Sequence, residues 1–195
     1  MSEENRKAIR ISVRNLVEFV LRSGDIDNRR SGNAQKDAML AGGRIHRKIQ
    51  KRMGSGYRAE VPLKHEVQDE EQEITLLVEG RADGIFTENG IPVIDEIKGM
   101  YTDISRLEEP IEVHLAQAMC YGYFYCCDKD LDGIRLQMTY CNLETEEIKR
   151  FQTDRSREEL ETWFSSVVHE YFKWARYLYH HELTRDASIR NLEFP

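Results

Sequence analysis

A two-residue turn, Asn89-Gly90, constrains the fold of this chain more than any other feature of its sequence. The dipeptide is the strongest short-range signal for a type I′ hairpin, because both central residues of that turn need positive φ. Segments rich in isoleucine, valine and phenylalanine flank it, which predicts two antiparallel strands. Counting outward from the turn places Asp83 directly opposite Glu96, and facing like charges about 5 Å apart destabilise a strand pair. We therefore expect a cation between the two acids.

Side-chain alternation along the second strand extends this site. Successive side chains of a strand point to opposite faces, so Glu96 and Lys98 share a face with Asp83. Asp95 and Ile97 point to the other face. Carboxylates are hard oxygen ligands of the kind that Mg²⁺ and Mn²⁺ prefer, and a nearby lysine can orient a water or neutralise charge. Ordinary surface charges on a solvated hairpin are the alternative that the hairpin alone leaves open.

Two predicted helices carry further polar residues. A buried helix is predicted at 110–127, and on it Gln117 and Tyr121 share a face because they are four residues apart. A second helix, at 34–53, carries His46, whose neutral imidazole suits a divalent metal. Core packing with a satisfied polar edge is the alternative for the first helix, and an ordinary surface histidine is the alternative for the second.

The order of these residues resembles that of the PD-(D/E)xK nucleases, and more narrowly their RecB-like branch. The resemblance covers Gly42 to Tyr125, with His on a helix, Asp on a strand, Glu-Ile-Lys on the next strand and Gln-x-x-x-Tyr on a helix. It implies that the His, Asp and Glu bind one or two Mg²⁺ or Mn²⁺ ions. It also implies that the Lys assists the attacking water, and that the Gln and Tyr position the site or DNA. The residues that match these roles are His46, Asp83, Glu96, Lys98, Gln117 and Tyr121, with the carbonyl of Ile97 as a further metal ligand and Glu60 as a further acidic position.

The cysteines depart from one pattern of that branch. Some members hold an iron–sulfur cluster with one cysteine before the nuclease motifs and three near the C-terminus. Here Cys120, Cys126, Cys127 and Cys141 all follow the hairpin and form no Cys-x-x-Cys pair, so we expect neither a cluster nor a structural zinc. Cysteines without a spaced framework indicate reduced thiols and a cytoplasmic location. No apolar run approaches the length of a membrane span, so we expect no membrane partner.

The net charge is −7, but basic and acidic residues are unevenly distributed. Residues 1–58 hold 14 basic and 6 acidic side chains, whereas residues 59–195 hold 14 and 29. A local basic surface can bind phosphates even on an acidic chain, because it releases counterions from nucleic acid. A solvated helix face is the alternative, and the presence of His46 on the same helix favours a DNA-binding surface. Its predicted members are Arg44, Arg47, Lys48, Lys51 and Arg52, together with Arg29 and Arg30.

The remaining pattern predicts one α/β domain over residues 1–195, with a mass of 22.9 kDa. Further helices are predicted at 9–22, capped by Ser12, and at 156–181, before a polar turn at 184–188. The resemblance implies that the elements form a restriction-endonuclease-like mixed central β-sheet flanked by helices. The predicted strands lie at 57–67, 73–86, 91–98, 133–142 and 146–153, with a loop at 99–109.

These observations lead to the hypothesis of a metal-dependent deoxyribonuclease, an exonuclease by resemblance, in DNA repair, recombination or nucleic-acid processing. A catalytically silent module that binds nucleic acid or a partner is one alternative, and an enzyme for another phosphorylated substrate is a second. Endonuclease action, polarity, strand preference and RNA as substrate stay open. Glu193-Phe194-Pro195 resembles the lead-in to the motor of DinG/Rad3-type helicases. The resemblance implies that this is the N-terminal nuclease domain of a longer helicase–nuclease, with the helicase motor as a partner in cis or in trans. A stand-alone enzyme is the alternative.

Overall fold

The structure, a computed structural model, describes residues 6–21, 32–71 and 73–190, without the side chains of residues 32–39, 187 and 190. Strands and helices alternate along the chain, as in a mixed α/β fold. In chain order the elements are β1 (Lys7–Ser12), α1 (Val13–Leu21), α2 (Gly32–Arg52), β2 (Arg58–Gln68), β3 (Ile74–Glu88), β4 (Ile91–Met100), a 3₁₀ turn (Ile104–Arg106), α3 (Glu112–Lys129), β5 (Gly133–Asn142), β6 (Ile148–Ser156) and α4 (Arg157–Arg190).

The described strands form one mixed sheet in the order β1-β3-β4-β5-β6, and β2 pairs with the other edge of β3. Two strands share the first edge of β3: β1 runs parallel to Ile74–Glu79, and β4 runs antiparallel to Gly84–Glu88. Beyond that point β4 pairs in parallel with β5. Residues 80–83 of β3 lie between the segment that pairs with β1 and the segment that pairs with β4. In the described part of the chain, no strand pairs with them on that edge of β3. Asp83 therefore lies at a fork in the sheet, where β4 leaves β3.

Helices pack on both faces of the sheet. α1, α3 and α4 share the main core with inward side chains such as Ile94 of β4 and Met138 of β5. α2 forms a smaller core on the opposite face, where Ile45 and Ile49 pack against Ile97. Side chains of β4 alternate between these two cores, as expected for a strand that is buried on both faces.

The expected mixed sheet with flanking helices is confirmed, but the helix predicted from residue 9 is wrong in its first part. Residues 7–12 form β1, and α1 begins at Val13. Ile9 and Ile11 pack towards the core and alternate with exposed Ala8 and Arg10, a strand pattern that pairing with the distant β3 stabilises. Ser12 does cap the helix, because its Oγ accepts the N–H of Asn15 at 3.1 Å.

The C-terminal helix is longer than its sequence predicts. α4 continues to Arg190, so both its predicted end at 181 and the polar turn at 184–188 are wrong. The hydroxyls of Thr184 and Ser188 donate to backbone carbonyls four residues earlier, which accommodates these polar side chains inside a helix. β4 likewise extends to Met100, into the predicted loop.

Two predictions fall outside the described residues: the basic pair Arg29-Arg30 and the helicase-like segment 193–195. Within the described part of the chain, no helix is both long and apolar enough to cross a membrane.

Candidate active site

The hairpin has the geometry that its sequence predicts. Asn89 and Gly90 have φ angles of 51° and 82°, as a type I′ turn requires. Strand pairs continue from the turn, in the predicted register, to the residues next to Asp83 and Glu96. The predicted register is confirmed as far as the pair Gly84–Asp95. Continued by one step, the same register would place Asp83 opposite Glu96. Regular pairing stops there, and Asp83 Oδ2 instead accepts the N–H of Ile97 at 2.7 Å.

A third acid faces this pair. The neighbours of Glu60 in β2 pair with the neighbours of Asp83 in β3, so Glu60 also lies opposite Asp83. Glu60, Asp83 and Glu96 thus form a row across three adjacent strands, which we call the acid row. Glu60 has a φ of 54°, a left-handed conformation that is uncommon for residues with a β-carbon. The backbone is therefore strained at the row where three carboxylates meet.

α2 brings two side chains to the acid row, because His46 and Gln50 are four residues apart on one helix face. His46 Nδ1 lies 3.3 Å from Asp83 Oδ1. Gln50 Nε2 donates to the carbonyl of Asp83 at 2.9 Å and to Glu60 Oε1 at 3.2 Å. One ligand atom from each of His46, Glu60 and Asp83 lies within 4.8 Å of the other two. These three side chains are close enough to bind one metal ion together.

The acids raise the affinity of His46 for a proton. Burial by itself would lower the pKa of His46, but the hydrogen bond and charge of Asp83, with the charge of Glu96, raise the pKa above its ordinary value. The imidazole therefore carries more positive charge than a free histidine at the same pH. Without a metal, this charge partly compensates the acid row.

Glu96 is 3% exposed, and its two oxygens differ. Oε1 contacts the ammonium of Lys98 at 2.8 Å, whereas Oε2 is buried with no hydrogen-bond partner. Lys98 Nζ also donates to Gln117 Oε1 at 2.9 Å, which links β4 to α3. The pKa of Glu96 is raised to about 7: burial is the main cause and the charge of Asp83 adds to it, while the charges of Lys98 and His46 and the hydrogen bond of Lys98 oppose the increase. A buried carboxylate oxygen without a donor is costly unless it binds a proton or a cation.

Tyr121 packs against the fork in the sheet. A β-carbon at Gly80 would lie 2.5 Å from the Tyr121 hydroxyl, so this close contact requires glycine. Burial, together with the charges of Glu96 and Asp83, raises the pKa of Tyr121, so the phenol stays protonated. The Gln117–Tyr121 face of α3 therefore lies next to the acid row, as its sequence spacing predicts.

The basic residues of α2 lie mainly on its outer surface. Arg44, Arg47, Lys51 and Arg52 are exposed. Lys48 is partly buried and forms an ion pair with Glu146. The helix thus faces the acid row with His46 and solvent with most of its basic side chains. Their role in binding DNA stays a prediction.

A cavity of about 550 Å³ opens beside the unpaired edge of β3. Its lining includes Gly80 and the basic residues Arg10, Lys64 and Arg81. Arg10 is held by Glu79, through two hydrogen bonds of 2.5 and 2.7 Å. Glu79 also lines the cavity and partly compensates these charges. Lys64 and Arg81 are the lining residues that could contact an anionic ligand near the unpaired part of β3.

A second group of possible metal ligands lies near the β2–β3 turn. One atom from each of Glu71, Glu73 and His180 is within 4.8 Å of the others. Arg176 donates to Glu71 at 2.7 Å, and His180 Nε2 lies 3.2 Å from Glu73 Oε2. The Arg176–Glu71 contact is an ion pair that joins the turn to α4, and Glu73 Oε2 is buried without a hydrogen-bond partner. This group is therefore the second place in the described residues where a metal could be tested.

Three residues near the site do not follow from the motif positions: Gln50, Tyr57 and Asp95. Gln50 could have been found from its spacing of four from His46. The alternation of β4 correctly predicts that Asp95 points away from Glu96, but not that it is fully buried and hydrogen-bonded to Tyr57 at 2.9 Å. The sequence carries no signal for that contact, because the two residues belong to different elements.

Comparison with known proteins gives a fold and no family. No protein-family model matches the sequence, and no curated protein matches it. Among solved structures, that of SSO0001 is similar with a TM-score of 0.53 and 17% identity, over 87% of this chain and 78% of that one. This likeness shows a shared fold.

The structure of an alkaline exonuclease, LHK-Exo from Laribacter hongkongensis, has a TM-score of 0.47 and 13% identity, over 90% of this chain and 94% of that one. The structure of LHK-Exo in complex with dAMP has a TM-score of 0.46 and 14% identity, over 89% of this chain and 93% of that one. These values are too low to support an inference about function.

Proposed function

We propose that this chain is a metal-dependent deoxyribonuclease that hydrolyses phosphodiester bonds at the acid row. The observation that supports the proposal is the grouping of His46, Glu60 and Asp83, whose ligand atoms lie within 4.8 Å of one another. The ion pair of Glu96 and Lys98 lies near enough for Glu96 to interact electrostatically with Asp83 and His46. Three carboxylates in register repel one another, and a divalent cation would relieve that repulsion.

The donor set suits Mg²⁺ or Mn²⁺. Both ions prefer oxygen ligands, and Mn²⁺ also accepts an imidazole. The buried, unpartnered Oε2 of Glu96 is an oxygen donor that the protein leaves available, while its Oε1 stays with Lys98. We expect His46, Asp83, Glu96 and the carbonyl of Ile97 to hold one or two ions, with Glu60 as an additional ligand. When bound, the metal would supply Lewis-acid stabilisation of charge on the scissile phosphate.

The other side chains have roles that follow from their contacts. Lys98 is fixed between Glu96 and Gln117, so its ammonium is positioned to orient a water or to neutralise charge in the transition state. Tyr121 supports the fork where Asp83 lies. Basic side chains of α2 would bind the phosphates of DNA, a contact that carries no sequence information.

Cleavage of labelled single-stranded and double-stranded DNA in Mn²⁺ or Mg²⁺ tests the proposal. We expect the wild type to cleave and Lys98→Ala to lose most of that activity, while both proteins unfold cooperatively. Time courses with labels at either DNA end would then separate exonuclease from endonuclease action. A folded wild type that cleaves no more than Lys98→Ala on any substrate would exclude nuclease activity. Retained DNA binding would then indicate the catalytically silent module.

A further inference from the structure

We infer that Tyr57 and Asp95 form a positioning link behind the acid row, which fixes the spacing of β2, β3 and β4 and so holds the carboxylates ready for metal. The inference rests on the proposed function. Tyr57 OH donates to Asp95 Oδ2 at 2.9 Å. Tyr57 directly precedes β2, the strand of Glu60, and Asp95 directly precedes Glu96 in β4. One hydrogen bond thus connects the two outer strands of the row.

The link crosses the central strand as well. A β-carbon at Gly84 would lie 1.8 Å from the Tyr57 ring, so the ring rests directly on the β3 backbone next to Asp83. The ring also stacks on Phe86 of β3, with centroids 5.8 Å apart. Gly84 is therefore required for the link, since any side chain there would displace the tyrosine. Tyr57 thus contacts Gly84, next to Asp83, and donates a hydrogen bond to Asp95, next to Glu96. It also directly precedes β2, the strand that carries Glu60.

Asp95 is a rigid end for this link. Its side chain is fully buried, and Oδ1 accepts hydrogen bonds from Thr139 at 2.6 Å and from Gln137 at 3.0 Å. Burial raises the pKa of Asp95, although its three hydrogen bonds oppose the increase. Replacing such a polar cluster by apolar residues is often neutral or stabilising, so stability alone gives no reason for it. The location of the cluster, next to Glu96, suggests instead that it holds β4 in a fixed position.

The acid row needs such support because it lacks regular strand pairing. Pairing is interrupted between Glu60 and Asp83 and between Asp83 and Glu96, where like charges face one another. Side chains replace the missing backbone bonds, with Asp83 bonded to the Ile97 N–H and Gln50 bonded to the Asp83 carbonyl. Without the link, repulsion would be free to open the fork.

Tyr57→Phe isolates the hydroxyl, because the ring over Gly84 is kept. We expect Mn²⁺ to bind more weakly, with a Kd that rises roughly tenfold, as for other residues that orient metal ligands. Isothermal titration calorimetry measures this Kd. The DNA cleavage rate should recover as the Mn²⁺ concentration is raised. A variant that lacks a residue needed for the catalytic step itself would not recover in this way. Asp95→Asn should weaken Mn²⁺ binding in the same direction.

Tyr125→Phe is the matched control, since Tyr125 OH accepts a hydrogen bond from Arg58, the residue after Tyr57. It removes a tyrosine hydroxyl from the same segment but not from the link, so the Kd for Mn²⁺ should not change. The inference would be overturned if the Kd for Mn²⁺ were unchanged in Tyr57→Phe, or if Tyr125→Phe raised it by as much as Tyr57→Phe.

Hydrogen exchange of the Ile97 amide provides a readout without metal. Exchange should accelerate in Tyr57→Phe and stay as in wild type in Tyr125→Phe, because the fork opens only in the first. If the wild type binds no Mn²⁺, the proposed metal chemistry fails, and Ile97 exchange alone decides the link. Unchanged exchange would then refute it.

Discussion

The two faces of β4 each bury one acid, Asp95 on the side of α2 and Glu96 on the side of α3. The two residues are adjacent in sequence and are 0% and 3% exposed. Both have a raised pKa, and burial is the main cause in each case. Asp95 accepts hydrogen bonds from three neutral side chains. Glu96 has Lys98 on one oxygen and no partner on the other.

This difference distinguishes Asp95, an acid with a structural role, from Glu96, a proposed metal ligand. The fold gives both oxygens of Asp95 hydrogen-bond donors, so neither oxygen is left unsatisfied. The fold leaves Glu96 Oε2 without a donor, faces Glu96 with Asp83, and supplies Lys98 as a partial counter-charge. Burial is therefore not the mark of a metal ligand. Three buried carboxylate oxygens of the described residues lack a hydrogen-bond partner: Asp69 Oδ2, Glu73 Oε2 and Glu96 Oε2. Arg176 lies 4.0 Å from the first and His180 3.2 Å from the second, whereas Glu96 lies near the acid Asp83. The combination of an unsatisfied oxygen, a buried side chain and a neighbouring acid is what distinguishes Glu96, because Glu73 is half-buried.

The largest expected effect is on cleavage. Glu96→Gln and Asp83→Asn should each lower the DNA cleavage rate by about 10²–10³-fold, comparable to the loss of a preorganised transition-state contact. Initial rates at saturating DNA and Mn²⁺ measure this loss. Glu73→Gln, the same kind of change in the group near the β2–β3 turn, should cleave at the wild-type rate. Wild-type cleavage by Glu96→Gln would remove the proposed distinction between the two faces.

Stabilisation by metal should be the next largest effect. A ligand that binds only the folded state adds about 2.7 kcal/mol to the free energy of unfolding at 100 times its Kd. We expect Mn²⁺ to raise the thermal midpoint of the wild type and of Glu73→Gln, but not of Asp83→Asn. If Asp83→Asn kept the shift and Glu73→Gln lost it, the ion would bind at Glu71, Glu73 and His180 instead.

The free energy of unfolding without metal should change in opposite directions on the two faces. Asp95→Asn replaces an acceptor by a donor among three donors, and we expect it to cost about 1–3 kcal/mol. Glu96→Gln removes repulsion with Asp83 and should leave the protein equally or more stable. Urea denaturation of both variants in chelator measures the contrast. Equal losses in both would show that Glu96 is as well satisfied as Asp95.

The hairpin was the most predictable part of the site. The Asn89-Gly90 turn fixes the register of β3 and β4, and strand alternation then separates Asp95 from Glu96 without any tertiary information. The placement of Gln117 beside Lys98 also follows from helical spacing together with the family resemblance. Local turn chemistry and periodicity thus define the two central strands and part of α3.

What the sequence could not define depends on long-range pairing. The register between β2 and β3 is set over a long strand pair rather than by a two-residue turn, so the alignment of Glu60 with Asp83 was not predictable. β1 reads as part of a helix because its parallel partner lies far along the chain. The hydrogen bond between Tyr57 and Asp95 joins elements whose relative position only the folded sheet determines.

The pH dependence of Glu96 provides a further test. Its pKa is about 7 in the folded protein against an ordinary value of 4.5, so the folded state binds more protons between these values. This group therefore lowers the free energy of unfolding as pH rises from about 4.5 to about 7, in the absence of metal. Protons compete with metal, so Mn²⁺ affinity should increase as pH rises through about 7. Glu96→Gln should reduce both slopes by the share that Glu96 contributes, while the share of His46, whose pKa is also raised, remains. Identical slopes in wild type and Glu96→Gln would assign them to another group.

The smallest effect should come from three basic residues of α2, Lys48, Lys51 and Arg52, for which no contact with either acid of β4 is found in the described residues. Removing these side chains should weaken DNA binding broadly and reduce the slope of log K against log salt by roughly 0.9 for each phosphate that the variant no longer neutralises. The Kd for Mn²⁺ should stay as in wild type, because His46 and the acid row are unchanged, and cleavage at saturating DNA should change less than affinity. Fluorescence anisotropy over a salt series measures the slope, and equal slopes for variant and wild type would show that DNA does not bind this surface. The variant combines Lys48→Ala, Lys51→Ala and Arg52→Ala, and its control combines Lys129→Ala, Lys173→Ala and Arg185→Ala on α3 and α4.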